Sequence, residues 1–216
     1  MHLRQLKHWR HGFILCLGLW AYANALWAQN QPIKLLILGD SLSAAYGLST
    51  QQGWVSLWQA SDAHIRIINA SISGETTMGG AARLPALLTQ HQPDWLIIEL
   101  GANDALRGQD LRLSEQKLRN MIQLAKKQGV QVALLGIRLP LNYGALYSQR
   151  LETLYQQLAK SEQIPLEPFF LADVALDTNL MQADGLHPNE AAQPIILQRI
   201  KRWFYPLLSA QSSLQP

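Results

Sequence analysis

The chain has 216 residues, 48% hydrophobic and 15% charged, which suffices for one domain with a sizeable core. Eighteen Lys and Arg against fifteen Asp and Glu give a net charge of +3. The excess belongs to the first 28 residues, which hold Arg4, Lys7 and Arg10 and no acid, so the remainder is near neutral and has no clustered basic face for nucleic acid.

The same 28 residues read as a secretory signal peptide. A basic start leads into an apolar run at 12–23, too short to span a bilayer, and small residues at Ala23, Ala25 and Ala28 place cleavage after Ala25 or Ala28. The only cysteine, Cys16, leaves with this leader. His64, His91 and His187 remain, far apart, so no metal site and no cofactor are expected. An exported protein without a stable membrane anchor follows, with one domain over 29–208 and a flexible tail over 209–216.

From residue 33 the pattern alternates strand and helix. Ile33–Leu38 is a continuous apolar run closed by Gly39, the mark of a buried strand, and Asp40 and Ser41 follow it. Residues 54–60 suggest a short helix and 64–70 a second strand ending before Ser71-Ile72-Ser73-Gly74. Residues 84–90 suggest another helix. WLIIEL (95–100) is a third strand leading into Gly101-Ala102-Asn103-Asp104. Leu118, Met121, Ile122 and Ala125 form the apolar stripe of a helix over 114–128, stopped by Gly129. A fourth strand spans 130–136 and a helix 147–163. A fifth strand, kinked by Pro165 and Pro168, spans 164–170, and a last helix runs to about Tyr205. Strands alternating with long helices imply right-handed βαβ units, hence a three-layer α/β/α domain on a mostly parallel sheet.

In such a sheet the strand ends share one edge, where ligands sit. That edge collects Ser41, Gly74 and Asn103, and the segment after the fifth strand adds Asp184 and His187. A serine hydroxyl needs a base to become a nucleophile, and His187 can serve. A carboxylate must hold the imidazole in one tautomer. Asp184, three residues from His187, is the local choice and Asp40 the alternative. Charge developing on an acyl oxygen needs fixed donors, which the N–H groups of Ser41 and Gly74 and the Asn103 amide could supply. Each feature also has an ordinary reading: a helix cap at Ser41, a loop glycine at 74, an Asx-turn at Asn103, and a turn at 184–187 with Asn189 as cap. Leu106, Leu139, Leu141, Tyr143, Leu180 and Met181 either line an apolar trough for an acyl chain or pack loops onto the sheet.

The blocks GDSLS (39–43), ASISGETT (70–77), GAND (101–104) and DGLHPN (184–189) occur in the order of the four blocks of the SGNH (GDSL-type) hydrolases, and the sequence resembles that family from about 33 to 205. The resemblance implies a flavodoxin-like five-stranded sheet of order 2-1-3-4-5. It implies Ser41 as nucleophile with Asp184 and His187, and Ser41, Gly74 and Asn103 as oxyanion donors. It also implies hydrolysis of acyl esters and thioesters (lysophospholipid, acyl-CoA, aryl ester); of the loop residues above, Leu106, Leu141, Tyr143 and Met181 are the expected substrate contacts. A periplasmic monomer is expected. A carbohydrate O-deacetylase of the same family, or a non-catalytic binding module, are the competing expectations. Glu75 and Ala102 depart from the family's usual Asp and Gly.

Overall fold

The computed structural model describes residues 31–212; the leader reading for 1–28 and the last four residues of the expected tail lie outside them. Five strands, β1 (Ile33–Gly39), β2 (Ile65–Asn69), β3 (Trp95–Glu99), β4 (Gln131–Leu135) and β5 (Leu166–Glu167), form one parallel sheet of order β2-β1-β3-β4-β5. Register is set at the centre, where Leu36 faces Ile68 on one side and Leu96 on the other. Leu35 to Leu38 and Leu96 to Ile98 are fully buried, as a parallel sheet covered on both faces requires.

Among the described residues six helices cover it: α1 (Trp54–Ser61), α2 (Thr77–His91), α3 (Ala102–Leu106), α4 (Leu111–Lys127), α5 (Ala145–Glu162) and α6 (Gln193–Ser212). The chain moves outward from β1 to β2, then crosses back to β3 and continues to β5. Right-handed crossovers therefore put α1 on one face and α2, α4 and α5 on the other. The contacts agree: α1 packs on α6, while α4 lies between α2 and α5. On the first face Trp58 and Trp95 each meet Phe204 in a T-shaped contact, at centroid distances of 5.5 and 5.0 Å. The direction reverses at β1, so the crevice past the ends of β1 and β3 is the topological switch point.

Local chemistry explains the helix ends. Asp110 caps α4 by accepting the Arg112 N–H, and Lys126 and Lys127 sit in its last turn, where the dipole favours cations. Thr76 caps α2 by accepting the Gly79 N–H.

Four elements differ from the sequence reading. α2 begins at Thr77 rather than near 84, because packing overrides the poor helix propensity of Gly79, Gly80 and Pro85. The GAND block opens the short helix α3 instead of a loop. β5 shrinks to two residues, since Pro165 and Pro168 cannot donate to a ladder. α6 continues through Pro206 to Ser212, so residues 209–212, placed in a tail by sequence, are helical.

Candidate active site

β1 delivers Ser41 through a tight turn. Gly39 lacks a side chain for want of room: a Cβ there would stand 2.8 Å from Glu99 Oε2 and from Ser71 Oγ. The N–H groups of Ser43 and Ala44 then donate to the Asp40 carbonyl, and that of Tyr46 donates to the Ser41 carbonyl. This turn leaves Ser41 only 9% exposed.

His187 and Asp184 reach the same place on a small hairpin before α6. Met181 and Pro188 form an antiparallel bridge, the Gln182 N–H donates to the His187 carbonyl at 2.7 Å, and the Asn189 N–H donates to the Leu180 carbonyl at 2.8 Å. Within it, Asp184 Oδ1 accepts the N–H groups of Leu186 and His187. Its Oδ2 lies 2.6 Å from His187 Nδ1, and His187 Nε2 lies 2.8 Å from Ser41 Oγ. Burial pushes the Asp184 carboxyl up, but the His187 N–H, the imidazole and the Leu186 N–H more than offset it and hold it below the ordinary range. Asp184 therefore stays ionised beside Nδ1, leaving Nε2 to face the hydroxyl. Asn189 caps the following turn by accepting the Ala192 N–H, as the ordinary reading of that segment expects.

Gly74 and Asn103 approach from the neighbouring loops. Gly74 has φ of +78°, and a Cβ there would meet nothing closer than Arg107 Nη2 at 3.8 Å. The glycine is needed for its left-handed backbone, not for space. The N–H groups of Ser41 and Gly74 donate to no protein group among the described residues. Asn103, on α3, donates through Nδ2 to Asp40 Oδ2 and to the Glu75 carbonyl, both at 3.0 Å. Its amide thus ties the neighbour of Ser41 to the neighbour of Gly74 and brings the three positions together. Both Nδ2 hydrogens are engaged, so a bound oxygen would have to share one of them. Asp104, by contrast, is structural: its carboxylate accepts the Thr77 N–H and hydroxyl and the Ser114 hydroxyl.

The apolar residues expected around the site divide. Leu139 is buried in the core, and Leu106 and Leu180 pack partly against it. Met181 is half-buried on the hairpin, and Leu141 and Tyr143 lie in a 3-10 turn after β4, Tyr143 exposed. Met181 and Tyr143 are free of the core; Leu106 and Leu139 follow the packing reading. An open cleft of about 600 Å³ between 108–112 and the start of α5 begins beside Arg107, and neither Leu106, Tyr143 nor Met181 lines it.

Two contributors were missed by sequence reasoning. Tyr46 stacks on the His187 ring at 4.3 Å, and its carbonyl accepts from Gln182 Nε2, joining the serine turn to the hairpin. Nothing in the sequence marks a tyrosine five residues past the serine. Glu99, fully buried below Asp40, had a signal: a carboxylate inside an otherwise apolar strand. Among the described residues no group of three or more His, Cys, Asp or Glu could hold a metal ion.

Comparison with known proteins gives a consistent result. Residues 37–194 match the GDSL-like lipase/acylhydrolase family. The chain is 46% identical over 182 residues to thioesterase 1/protease 1/lysophospholipase L1 of Escherichia coli (strain K12), covering 82% of this chain and 86% of that one. It is 48% identical over 178 residues to esterase TesA of Pseudomonas aeruginosa, covering 81% and 89%. The crystal structure of the psychrotrophic esterase EstA from Pseudoalteromonas sp., inhibited by monoethylphosphonate, superposes with a TM-score of 0.78 at 41% identity over 82% of this chain and 98% of that one. With its switch-point serine, its hairpin-borne histidine and this similarity along most of its length, the chain belongs to the GDSL-like lipase/acylhydrolase family.

Proposed function

We propose that the protein is a serine esterase and thioesterase acting on small-molecule acyl esters through an acyl-enzyme. The carrying observation is the unbroken chain Asp184–His187–Ser41, with contacts of 2.6 and 2.8 Å, at the sheet's switch point. His187 Nε2 takes the Ser41 proton as Oγ attacks the acyl carbon. Asp184 holds the Nδ1–H tautomer and stabilises the imidazolium. The oxygen of the tetrahedral intermediate accepts from the free N–H groups of Ser41 and Gly74, with Asn103 turning one N–H toward it. His187 then gives its proton to the leaving alcohol or thiol, and water reverses the sequence to release the acid.

Relatives named for thioesterase, lysophospholipase and esterase activity support lipid-like acyl substrates. Leu141, Tyr143 and Met181 are the candidate contacts for the acyl chain. The leader supports export to the periplasm with cleavage after Ala25 or Ala28. The exported chain acts as a monomer without a lasting anchor.

The test is a panel of esters and thioesters of increasing acyl length on the purified protein, with a fluorophosphonate label read by mass. Adduct at Ser41 and turnover of octanoyl and longer esters support the proposal. Turnover of acetyl esters alone would turn it into a carbohydrate deacetylase, and failure to label would leave a binding module.

A further inference from the structure

The last residue of β3, Glu99, is a carboxyl group with no exposure. Among the described residues no Lys, Arg or His pairs with it, although burying a lone carboxylate is costly. Its Oε2 accepts the Asp40 N–H at 3.2 Å and the Ser43 hydroxyl at 2.8 Å, while its buried Oε1 has no donor. The neighbouring carboxyl of Asp40 is equally buried and within hydrogen-bonding reach. Asp40 Oδ1 accepts the Leu42 N–H and Oδ2 accepts from Asn103 Nδ2, each at 3.0 Å.

Two adjoining carboxylates without a cation cannot both be ionised, so one proton is shared between them. Geometry says which keeps it. Each oxygen of Asp40 receives an N–H, and the imidazolium of His187 would attract its charge; Glu99 leaves one oxygen bare. We infer that Glu99 is a positioning residue, a neutral acid that donates its O–H to Asp40 and so keeps the Asp40 carboxylate aimed at Asn103 and at the turn carrying Ser41.

The electrostatics agree. Burial first, and the charge of Asp40 second, hold the Glu99 carboxyl well above the ordinary range. Burial likewise raises Asp40, against the Leu42 N–H and the His187 charge. The other titratable groups nearby are Tyr155, whose hydroxyl donates to the Leu100 carbonyl, and Asp104, engaged by Thr77 and Ser114. Neither brings a positive charge. Removing the shared proton at alkaline pH sets two anions side by side, and Asp40 yields its hold on Asn103.

The inference rests on Asn103 acting as an oxyanion donor, and its test separates the two claims. Glu99→Gln is neutral at every pH: its carbonyl can accept from Ser43 and Asp40 N–H, and its amide can donate to Asp40. Its kcat on an octanoyl ester should stay within about threefold of wild type at neutral pH, and the alkaline decline of kcat should flatten. Glu99→Ala should lose about 10–100-fold in kcat, the scale of one lost buried hydrogen bond, with KM nearly unchanged. Infrared spectroscopy of the wild type at neutral pH should show a neutral carboxyl stretch that Glu99→Gln lacks. That reading needs no turnover and so stands if the esterase reading fails. Absence of the band, an unchanged alkaline limb in Glu99→Gln, or a folded Glu99→Gln as inactive as Glu99→Ala overturns the inference. Should Glu99→Ala not fold, the Gln variant and the band decide it alone.

Discussion

Ser41, Asn103 and Asp184 each predict a different loss. Ser41→Ala should reduce ester turnover by about 10³ or more, leaving what oxyanion donors and binding supply, measured as kcat at saturation. Asn103→Ala should cost about 10²–10³ in kcat with a smaller change in KM, because the amide is lost both as a donor to the charged acyl oxygen and as the tie between Asp40 and Glu75. Asp184 acts on stability as well. Its folded carboxyl titrates below the ordinary range, so its contribution is complete above about pH 4 and disappears as the pH falls through the folded value. Urea unfolding of wild type and Asp184→Asn should show a gap at neutral pH that closes in acid. Glu99 and Asp40 have the opposite sign. The folded chain retains a proton that the unfolded chain releases above about pH 4, so the pair lowers stability as pH rises, and Glu99→Gln should flatten that slope. The residues proposed to react were legible as candidates because each stands at the end of an apolar run or in a short polar motif. Tyr46 and the partnership of Glu99 with Asp40 were not, since the first arises only when the hairpin closes on the serine turn and the second only when β1 and β3 lie side by side.

Among elements, the strands read clearly wherever apolar residues run unbroken, and α4 wherever they recur every third or fourth position. Misreadings fell where tertiary packing outweighs local preference. Gly79, Gly80 and Pro85 would weaken an isolated helix, yet α2 holds because Gly80, Leu84 and Leu88 are buried against its neighbours. The end of α6 survives Pro206 because Phe204 is fully buried between Trp58 and Trp95. Phe204→Ala should therefore destabilise the domain by about 3–5 kcal/mol in denaturant unfolding while leaving KM unchanged, as the aromatic cluster lies away from the serine turn.

For the molecule as a whole, the three-layer class was readable from the alternation of elements, but strand order was not. Apolar runs say that a strand is buried and never which strand lies beside it. The order came with the resemblance and is what makes four loops converge. If the leader is removed as its pattern indicates, intact-mass measurement of the exported protein should give an N-terminus at Leu26 or Gln29, with unchanged turnover.

The hairpin of Met181 and Pro188 carries His187 and Asp184 together, whereas Ser41 hangs from a separate turn. Strain on this assembly therefore parts it along one seam, where the imidazole meets the hydroxyl, Tyr46 stacks on His187 and Gln182 donates to the Tyr46 carbonyl. Gentle warming should abolish acylation while the low-field proton resonance of the His187–Asp184 pair persists: the enzyme would fall silent with two of its three working parts still coupled.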